Sequence, residues 1–199
     1  MPHPPLHILI LAAGGSTRMR GADKLMEPVG GHPLLHQLAR RATRTGLPVT
    51  VALPPDRPAR NAALTGLPLT RLIVPDAASG MATTLRAGLA SLPPGAAVML
   101  LLADLPEITT EDLSLMAASH TRTPDLILRA TDTAGTPGHP VICPPWARAG
   151  LMDLAGDEGA RTVLQRHKDR LRLIALPGQH ATTDLDTPEA WAAWRSGRE

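Results

Sequence analysis

The sequence contains no Phe and no Tyr, and three Trp residues bring its aromatic content to only 2%. Proteins that bind single-stranded nucleic acid commonly stack bases on aromatic side chains, and this chain has almost none to offer. Its formal net charge is +2, which is too small to indicate a surface for polyanions. We therefore expect no nucleic-acid partner, and a core built from aliphatic side chains and methionine.

Cysteine is nearly absent as well. The single residue, Cys143, excludes an internal disulfide and a cysteine-rich metal site, and it is typical of a reducing compartment. No apolar run approaches the roughly 20 residues that span a bilayer. The opening segment, MPHPPLH, lacks the basic region and apolar run of a secretory signal. We expect a cytoplasmic protein with no membrane partner.

The chain does contain a regular alternation of short apolar runs and amphipathic runs. The apolar runs predict strands at 7–13, 48–53, 70–75, 125–130, 139–143 and 170–176, and a further strand that begins at 96. The amphipathic runs predict helices at 33–46, 80–92, 110–120, 159–168 and 187–194. This order is typical of a three-layer α/β fold with a mostly parallel sheet, and 199 residues suit a single domain over 1–199.

Ligands of such folds bind beyond the carboxyl ends of the parallel strands. Four segments of this sequence satisfy that rule: those after Ala13, Ser79 and Ala103, and the one near Asp186. We therefore expect the functional residues to come from these segments.

The first of these segments follows an apolar strand directly and is rich in glycine and in positive charge. Gly14 and Gly15 permit a sharp turn and let a ligand approach the main chain. Exposed N–H groups in such a turn bind anions, and Arg18 and Lys24 supply side chains suited to phosphate. The pattern matches neither the P-loop nor the dinucleotide-binding glycine motif. The loop predicts a phosphate site, and a solvated loop with scattered basic residues is the alternative.

Acidic residues stand at two of the other strand ends. Asp104 follows the most apolar strand of the chain, and Asp186 precedes the last helix. Mg²⁺ prefers one or two carboxylates together with phosphate oxygens, so the two acids facing a basic glycine loop predict a metal–phosphate site. Either acid could instead be a turn or capping residue. Asp184 is less suited than Asp186, because only one of the pair faces the site if the segment is extended.

Several stretches together carry a resemblance to a known family. LAAGGSTRMRGADKL (11–25) is similar to the signature L-A-A-G-x-S-x-R-M-G-x-x-K of the MobA-like nucleotidyltransferases. Further stretches follow in the family's order over nearly the whole chain: SGMATTLRAGL, LLADLP, GTPGHPVI, GDEGAR and DLDTPEAW. The PGHP and GDEGAR pieces resemble the MocA branch, the molybdenum cofactor cytidylyltransferases. One departure is Arg20, an additional residue that leaves the register of Gly21 and Lys24 open.

The resemblance implies a Rossmann-like nucleotidyltransferase fold and a definite reaction. The terminal phosphate of molybdopterin cofactor attacks the α-phosphorus of CTP, which gives the cytosine dinucleotide cofactor and pyrophosphate. Mg²⁺ is the implied cofactor, CTP and molybdopterin are the implied substrates, and a molybdoenzyme that receives the product is an implied partner. The LAAG sequence favours CTP over GTP, because guanylyl enzymes resemble LAGG at the position of Ala13.

The resemblance also implies a role for individual residues. The implied catalytic residues are Arg18, Lys24 and Asp104, and the implied metal ligands are Asp104 and Asp186. The implied nucleotide-binding residues are Leu11, Ala12, Ala13, Gly14, Gly15, Lys24, Gly80 and Thr84. The implied contacts to the second substrate are His139, Asp157 and Arg161.

Three alternatives stay open at this point. A relative with the same fold could use GTP or a sugar phosphate. A non-catalytic accessory protein could carry molybdenum cofactor, although a carrier needs no pyrophosphate-binding loop. An oxidoreductase is disfavoured, because the sequence has no G-x-G-x-x-G motif and one cysteine cannot form a dithiol.

Overall fold

The structure, a computed structural model, describes residues 5–156 and 159–197. The strands are β1 (Leu6–Leu11), β2 (Pro28–Val29), β3 (His32–Pro33), β4 (Val49–Leu53), β5 (Thr70–Ile73), β6 (Ala97–Leu102), β7 (Ile127–Thr131), β8 (Pro137–Cys143) and β9 (Leu171–Ala175). The helices are α1 (Leu34–Thr43), α2 (Pro58–Ala63), α3 (Met81–Ala90), α4 (Thr110–Arg122), α5 (Arg148–Met152), α6 (Arg161–Arg166) and α7 (Pro188–Ser196).

Seven of these strands form one sheet in the order β5-β4-β1-β6-β8-β7-β9. Six of them run in the same direction, and β8 is antiparallel to both of its neighbours, β6 and β7. The strands β2 and β3 form a separate two-stranded ladder. The expectation of an α/β fold with a mostly parallel sheet is confirmed, whereas the reversed direction of β8 was not predicted.

Side chains alternate between the two faces of the sheet, so each strand contributes to two cores. Ile8 and Ile10 of β1 belong to the core that α1, α4 and α7 cover. Leu9 belongs to the core that α3, α5 and α6 cover. All three side chains are fully buried, and burying one such side chain stabilises the fold by about 1.5–3 kcal/mol. Because helices cover both faces, the strand ends are the part of the sheet left for a ligand.

The predicted elements differ from the observed ones mainly at their ends and in the shortest helices. The strand predicted at 7–13 stops at Leu11, because Ala12 keeps only one ladder bond, from its N–H to the carbonyl of Ala52 at 3.0 Å. The helix α2 begins at Pro58, a favourable first helical residue, yet PARNAA has no apolar periodicity that would predict it. The five residues of α5 are too few to display any period.

The segment after β9 crosses the start of β8 at very short range. The backbone N–H of His139 donates to the carbonyl of Ala181 at 2.9 Å. A Cβ atom placed on Gly138 would overlap that same carbonyl oxygen. Glycine is therefore required at this position, and the close approach brings the segment that leads to Asp186 against β8.

Within residues 5–156 and 159–197, no helix combines the length and the apolar character that crossing a membrane requires. Cys143 is buried, and burial raises the pKa of its thiol to about 12, so the side chain behaves as a small apolar group.

The close crossing at Gly138 gives a testable expectation. Gly138→Ala should destabilise the protein by about 1–3 kcal/mol, the usual range for overpacking, and each kcal/mol lowers Tm by about 2–4 °C in a chain of this size. Gly150→Ala is the matched control, because its Cβ would make an ordinary 3.5 Å contact with Val163. Thermal unfolding followed by circular dichroism compares the two, and equal stability would contradict the close approach.

Candidate active site

A cavity of about 750 Å³ opens at the carboxyl ends of β1, β4 and β6. Its lining includes Pro54, Pro55 and Pro75, together with residues of the glycine loop and of the start of α3. Of the residues predicted to bind a nucleotide, the following line it: Leu11, Ala13, Gly14, Gly15, Lys24, Gly80 and Thr84.

Ala12 is the exception, because it does not belong to the lining of this cavity. Leu11 and Ala13 face the cavity, so the alternation of an extended chain turns Ala12 the other way. Its side chain is buried in the core beneath the loop. Its carbonyl accepts a hydrogen bond from Nη1 of Arg60 at 2.7 Å. Ala12 therefore helps to hold the loop in place and does not form the cavity wall.

The charged residues predicted at separate strand ends meet in one cluster. Nζ of Lys24 lies 2.5 Å from Oδ2 of Asp104 and 2.6 Å from Oδ1 of Asp186. Nη2 of Arg18 lies 2.5 Å from the other oxygen of Asp186. Burial alone would lower the pKa of Lys24, but the two carboxylates outweigh it and raise the pKa above its ordinary value. The lysine is thus held as a cation between two acids.

One oxygen of this cluster is left without a partner among the described residues. Within 5–156 and 159–197, Oδ1 of Asp104 is buried and has no hydrogen-bond partner, which is costly for a carboxylate oxygen unless a ligand satisfies it. No group of three or more acidic, His or Cys side chains in the described part of the chain could hold a metal by itself. Two carboxylates with an oxygen to spare fit Mg²⁺, which takes its remaining ligands from phosphates and water. Asp184 is exposed to solvent and lies outside the cluster.

The additional residue Arg20 does not displace Lys24 from the cluster. Arg20 and Gly21 both have positive φ, 51° and 94°, and the N–H of Ala22 bonds back to the carbonyl of Met19 at 3.0 Å. The extra residue is therefore absorbed in a tight left-handed turn. The Arg20 side chain points to solvent and pairs with Glu189 at 2.6 Å.

Two of the three residues predicted to contact the second substrate lie beside the main cavity. His139 and Arg161 line a second cavity of about 160 Å³, together with Arg129, which the sequence analysis did not single out. Burial lowers the pKa of His139, so its imidazole is neutral near pH 7. Asp157 lies outside the described residues.

Comparison with known families decides what kind of domain carries this geometry. The model of the MobA-like NTP transferase domain matches residues 8–171 of the 199. The chain belongs to this family. Solved structures similar to the NTP transferase domain agree on the fold, whereas a comparison with proteins of curated function finds no match.

Rv0371c from Mycobacterium tuberculosis H37Rv is one such structure, with a TM-score of 0.82 at 23% identity over 98% of this chain and 100% of that chain. A complex of Rv0371c with manganese has a TM-score of 0.77 at 23% identity, over 95% and 97% of the two chains. CMP:2-keto-3-deoxy-manno-octonic acid synthetase in complex with CTP has a TM-score of 0.77 at 14% identity, over 98% of each chain.

The sequence gives no indication of the residue that holds the glycine loop in place. Arg60, on α2, is fully buried. Its Nε and Nη2 donate to the two oxygens of Asp23 at 2.7 and 2.8 Å, and Nη2 also donates to Oγ of Ser16 at 3.1 Å. Arg57, from the segment just before α2, donates to the carbonyl of Gly15 at 3.2 Å. The non-periodic PARNAA segment gave no signal for this role.

The charge pair at Arg60 is the basis of the next prediction. Asp23→Ala should destabilise the NTP transferase domain by about 3–5 kcal/mol, because it leaves a buried guanidinium without its carboxylate. The double variant Asp23→Ala, Arg60→Met should recover part of this loss. Arg20→Ala, which breaks an exposed ion pair of the same loop, is the control and should leave the free energy of unfolding almost unchanged. Urea unfolding measures all three, and equal effects of Asp23→Ala and Arg20→Ala would refute the role of Arg60.

Proposed function

We propose that this protein transfers CMP from CTP to the phosphate of molybdopterin cofactor and releases pyrophosphate. The observation that carries the proposal is the meeting of Lys24 with Asp104 and Asp186 beside a glycine loop and a cavity of about 750 Å³. A site that offers both cations and carboxylates at one place suits a metal-bound triphosphate, whose charge needs neutralising and whose metal needs oxygen ligands.

The choice of cytidine rests on the shape of the loop. Ala13 lies on the cavity wall, where its methyl group limits how closely a base can approach the main chain. Differences of one methyl group discriminate between ligands by about 1–3 kcal/mol. The complex of CMP:2-keto-3-deoxy-manno-octonic acid synthetase with CTP supports a cytidine nucleotide in a fold of this kind.

The chemical step requires alignment and charge neutralisation more than proton transfer. The attacking phosphate oxygen is already an anion, so no strong general base is needed. That oxygen forms a bond to the α-phosphorus of CTP. The bond from the α-phosphorus to the bridging oxygen breaks, and its electron pair leaves with pyrophosphate. Groups placed where this negative charge grows lower the barrier.

The chain's own residues supply those groups. Lys24 and Arg18 are paired with Asp104 and Asp186, and on nucleotide binding they turn to the β- and γ-phosphates. The carboxylates that they leave would hold Mg²⁺ or Mn²⁺, and a complex of Rv0371c contains manganese. The bound cation supplies charge neutralisation at the phosphates. Backbone N–H groups of the glycine loop orient the leaving group.

The acceptor side of the proposal uses His139 and Arg161 as contacts to molybdopterin cofactor. Both line the second cavity beside the nucleotide. Asp157 remains a prediction from the resemblance alone. A molybdoenzyme that takes up the product completes the proposal.

The reaction is tested by pyrophosphate release from the purified protein with Mg²⁺, molybdenum cofactor and each common ribonucleoside triphosphate. We expect release with CTP and far less with GTP. Equal turnover with GTP would contradict the cytidine preference. Release that requires a sugar phosphate in place of molybdenum cofactor would favour the related nucleotidyltransferases, and cofactor binding without any release would favour a carrier.

The role of Asp104 is tested separately. Asp104→Asn removes the charge and keeps the size, so turnover should fall by on the order of a hundredfold, as when one transition-state electrostatic contact is lost. Tm should stay within the range of the unaltered protein, because the side chain lies at a strand end. Asp184→Asn is the control, since that carboxylate is exposed outside the cluster. Near-normal turnover of Asp104→Asn would remove the residue from the mechanism, and a collapsed Tm would make it structural.

A further inference from the structure

The second cavity lies between the sheet and the helices α3 and α6, and positively charged side chains form part of its wall. Most of its wall is aliphatic, yet three nitrogen-bearing side chains face it: Arg129 from β7, His139 from β8 and Arg161 from α6. Arg129 and Arg161 approach each other closely enough that, besides burial, the charge of Arg161 lowers the pKa of Arg129. Arg129 is half-buried and Arg161 is exposed to solvent, so the two positive charges beside this cavity are accessible to an anion and favour its binding.

Arg129 is held by the β7–β8 pair in a way that leaves part of its guanidinium for a ligand. Its Nε donates to the carbonyl of Gly138 at 3.2 Å, and Nη2 donates to the carbonyl of Pro137 at 3.3 Å. No carboxylate within residues 5–156 and 159–197 forms an ion pair with it. An arginine keeps its proton even in such surroundings. The planar group is thus fixed in orientation, and no carboxylate of the described residues pairs with its charge.

The second cavity adjoins the main cavity of about 750 Å³. The two share the side chains of Leu11, Met81 and Leu102 as a common wall. Nδ1 of His139 lies 3.4 Å from the carbonyl of Leu100, and the charge of Asp104 also acts on this imidazole. A group bound in the second cavity therefore lies across a shared wall from the main cavity, which Asp104 lines.

We propose that the second cavity is an anion subsite that binds the phosphate of the acceptor, with Arg129 and Arg161 as its ligands. Guanidinium groups match phosphate oxygens by paired hydrogen bonds, and two of them balance a phosphate dianion. The assignment of this anion to the acceptor rests on the proposed function. The existence of the subsite does not, because the charge and the cavity are properties of this chain alone.

Inorganic phosphate is the probe for the subsite. The protein is first saturated with Mg²⁺ and α,β-methylene-CTP, a nucleotide that cannot react, so that the glycine loop is occupied. Phosphate is then titrated while NMR follows the ring signals of His139 and the Nε–Hε signal of Arg129, which are assigned from spectra of His139→Gln and Arg129→Gln. We expect saturable shifts of both signals.

Variants locate the binding. Arg129→Gln and Arg161→Gln should each weaken phosphate binding by about tenfold or more, the usual loss for one charge-assisted contact. The matched controls are Arg172→Gln on β9 and Arg166→Gln on α6, both exposed, and they should bind phosphate as the unaltered protein does. Unshifted signals, or equal phosphate affinity in Arg129→Gln, would overturn the proposal. Unchanged affinity for α,β-methylene-CTP verifies that the variants are folded.

Turnover separates this proposal from the proposed function. If phosphate binds at Arg129 but molybdenum cofactor supports no pyrophosphate release, the subsite stands and the acceptor is another phosphorylated compound. If molybdenum cofactor is a substrate, Arg129→Gln should raise its KM with little change in KM for CTP. An unchanged KM for the acceptor would overturn the assignment of its phosphate to this subsite.

Discussion

The guanidinium of Arg60 is fully buried, and the glycine loop depends on the bonds it makes. It binds the carbonyl of Ala12 where the loop begins and the carboxylate of Asp23 where the loop ends. Burying a charge is expensive unless it is paired and every donor is used, and here Ser16 accepts a further bond. Because Lys24 follows Asp23 directly, the position of the lysine depends on an arginine that does not belong to the lining of the main cavity.

The charged groups of the cluster around Lys24 are paired with one another. Its cations and carboxylates neutralise one another at short range while the protein stands alone. In the proposed reaction, a metal-bound triphosphate brings both signs of charge, so each protein group can exchange its present partner for one on the ligand. The exchange avoids leaving an isolated charge in a partly buried place, which would otherwise oppose folding. The same side chains thus serve stability and binding in turn.

The apolar periodicity of the sequence predicted most strands and helices, and the rule that ligands bind beyond the carboxyl ends of parallel strands predicted where the site lies. That rule brought Lys24, Asp104 and Asp186 into one expected site although they are far apart along the chain. It could not predict Arg60 or Arg129, because their roles depend on which surfaces the tertiary fold brings together. A short helix without apolar period gives no sign that one of its arginines will be buried. The motif around Ala12 does not show the alternation of an extended chain, which turns this side chain away from the cavity that its neighbours line.

The reversed direction of β8 determines which strand ends surround the opening at this edge of the sheet. Its beginning, at Gly138 and His139, lies at the edge where its neighbours end, so a strand start and several strand ends together surround one opening. On one side of β8 lie β6, β1 and β4, whose carboxyl ends form the main cavity, and on the other side lie β7 and β9. The short turn between β7 and β8 bonds to the segment after β9, where the N–H and the hydroxyl of Thr133 both donate to the carbonyl of Gly178. On the proposed function, substitutions in this turn would act on the acceptor side of the opening and leave the strands around the main cavity unchanged.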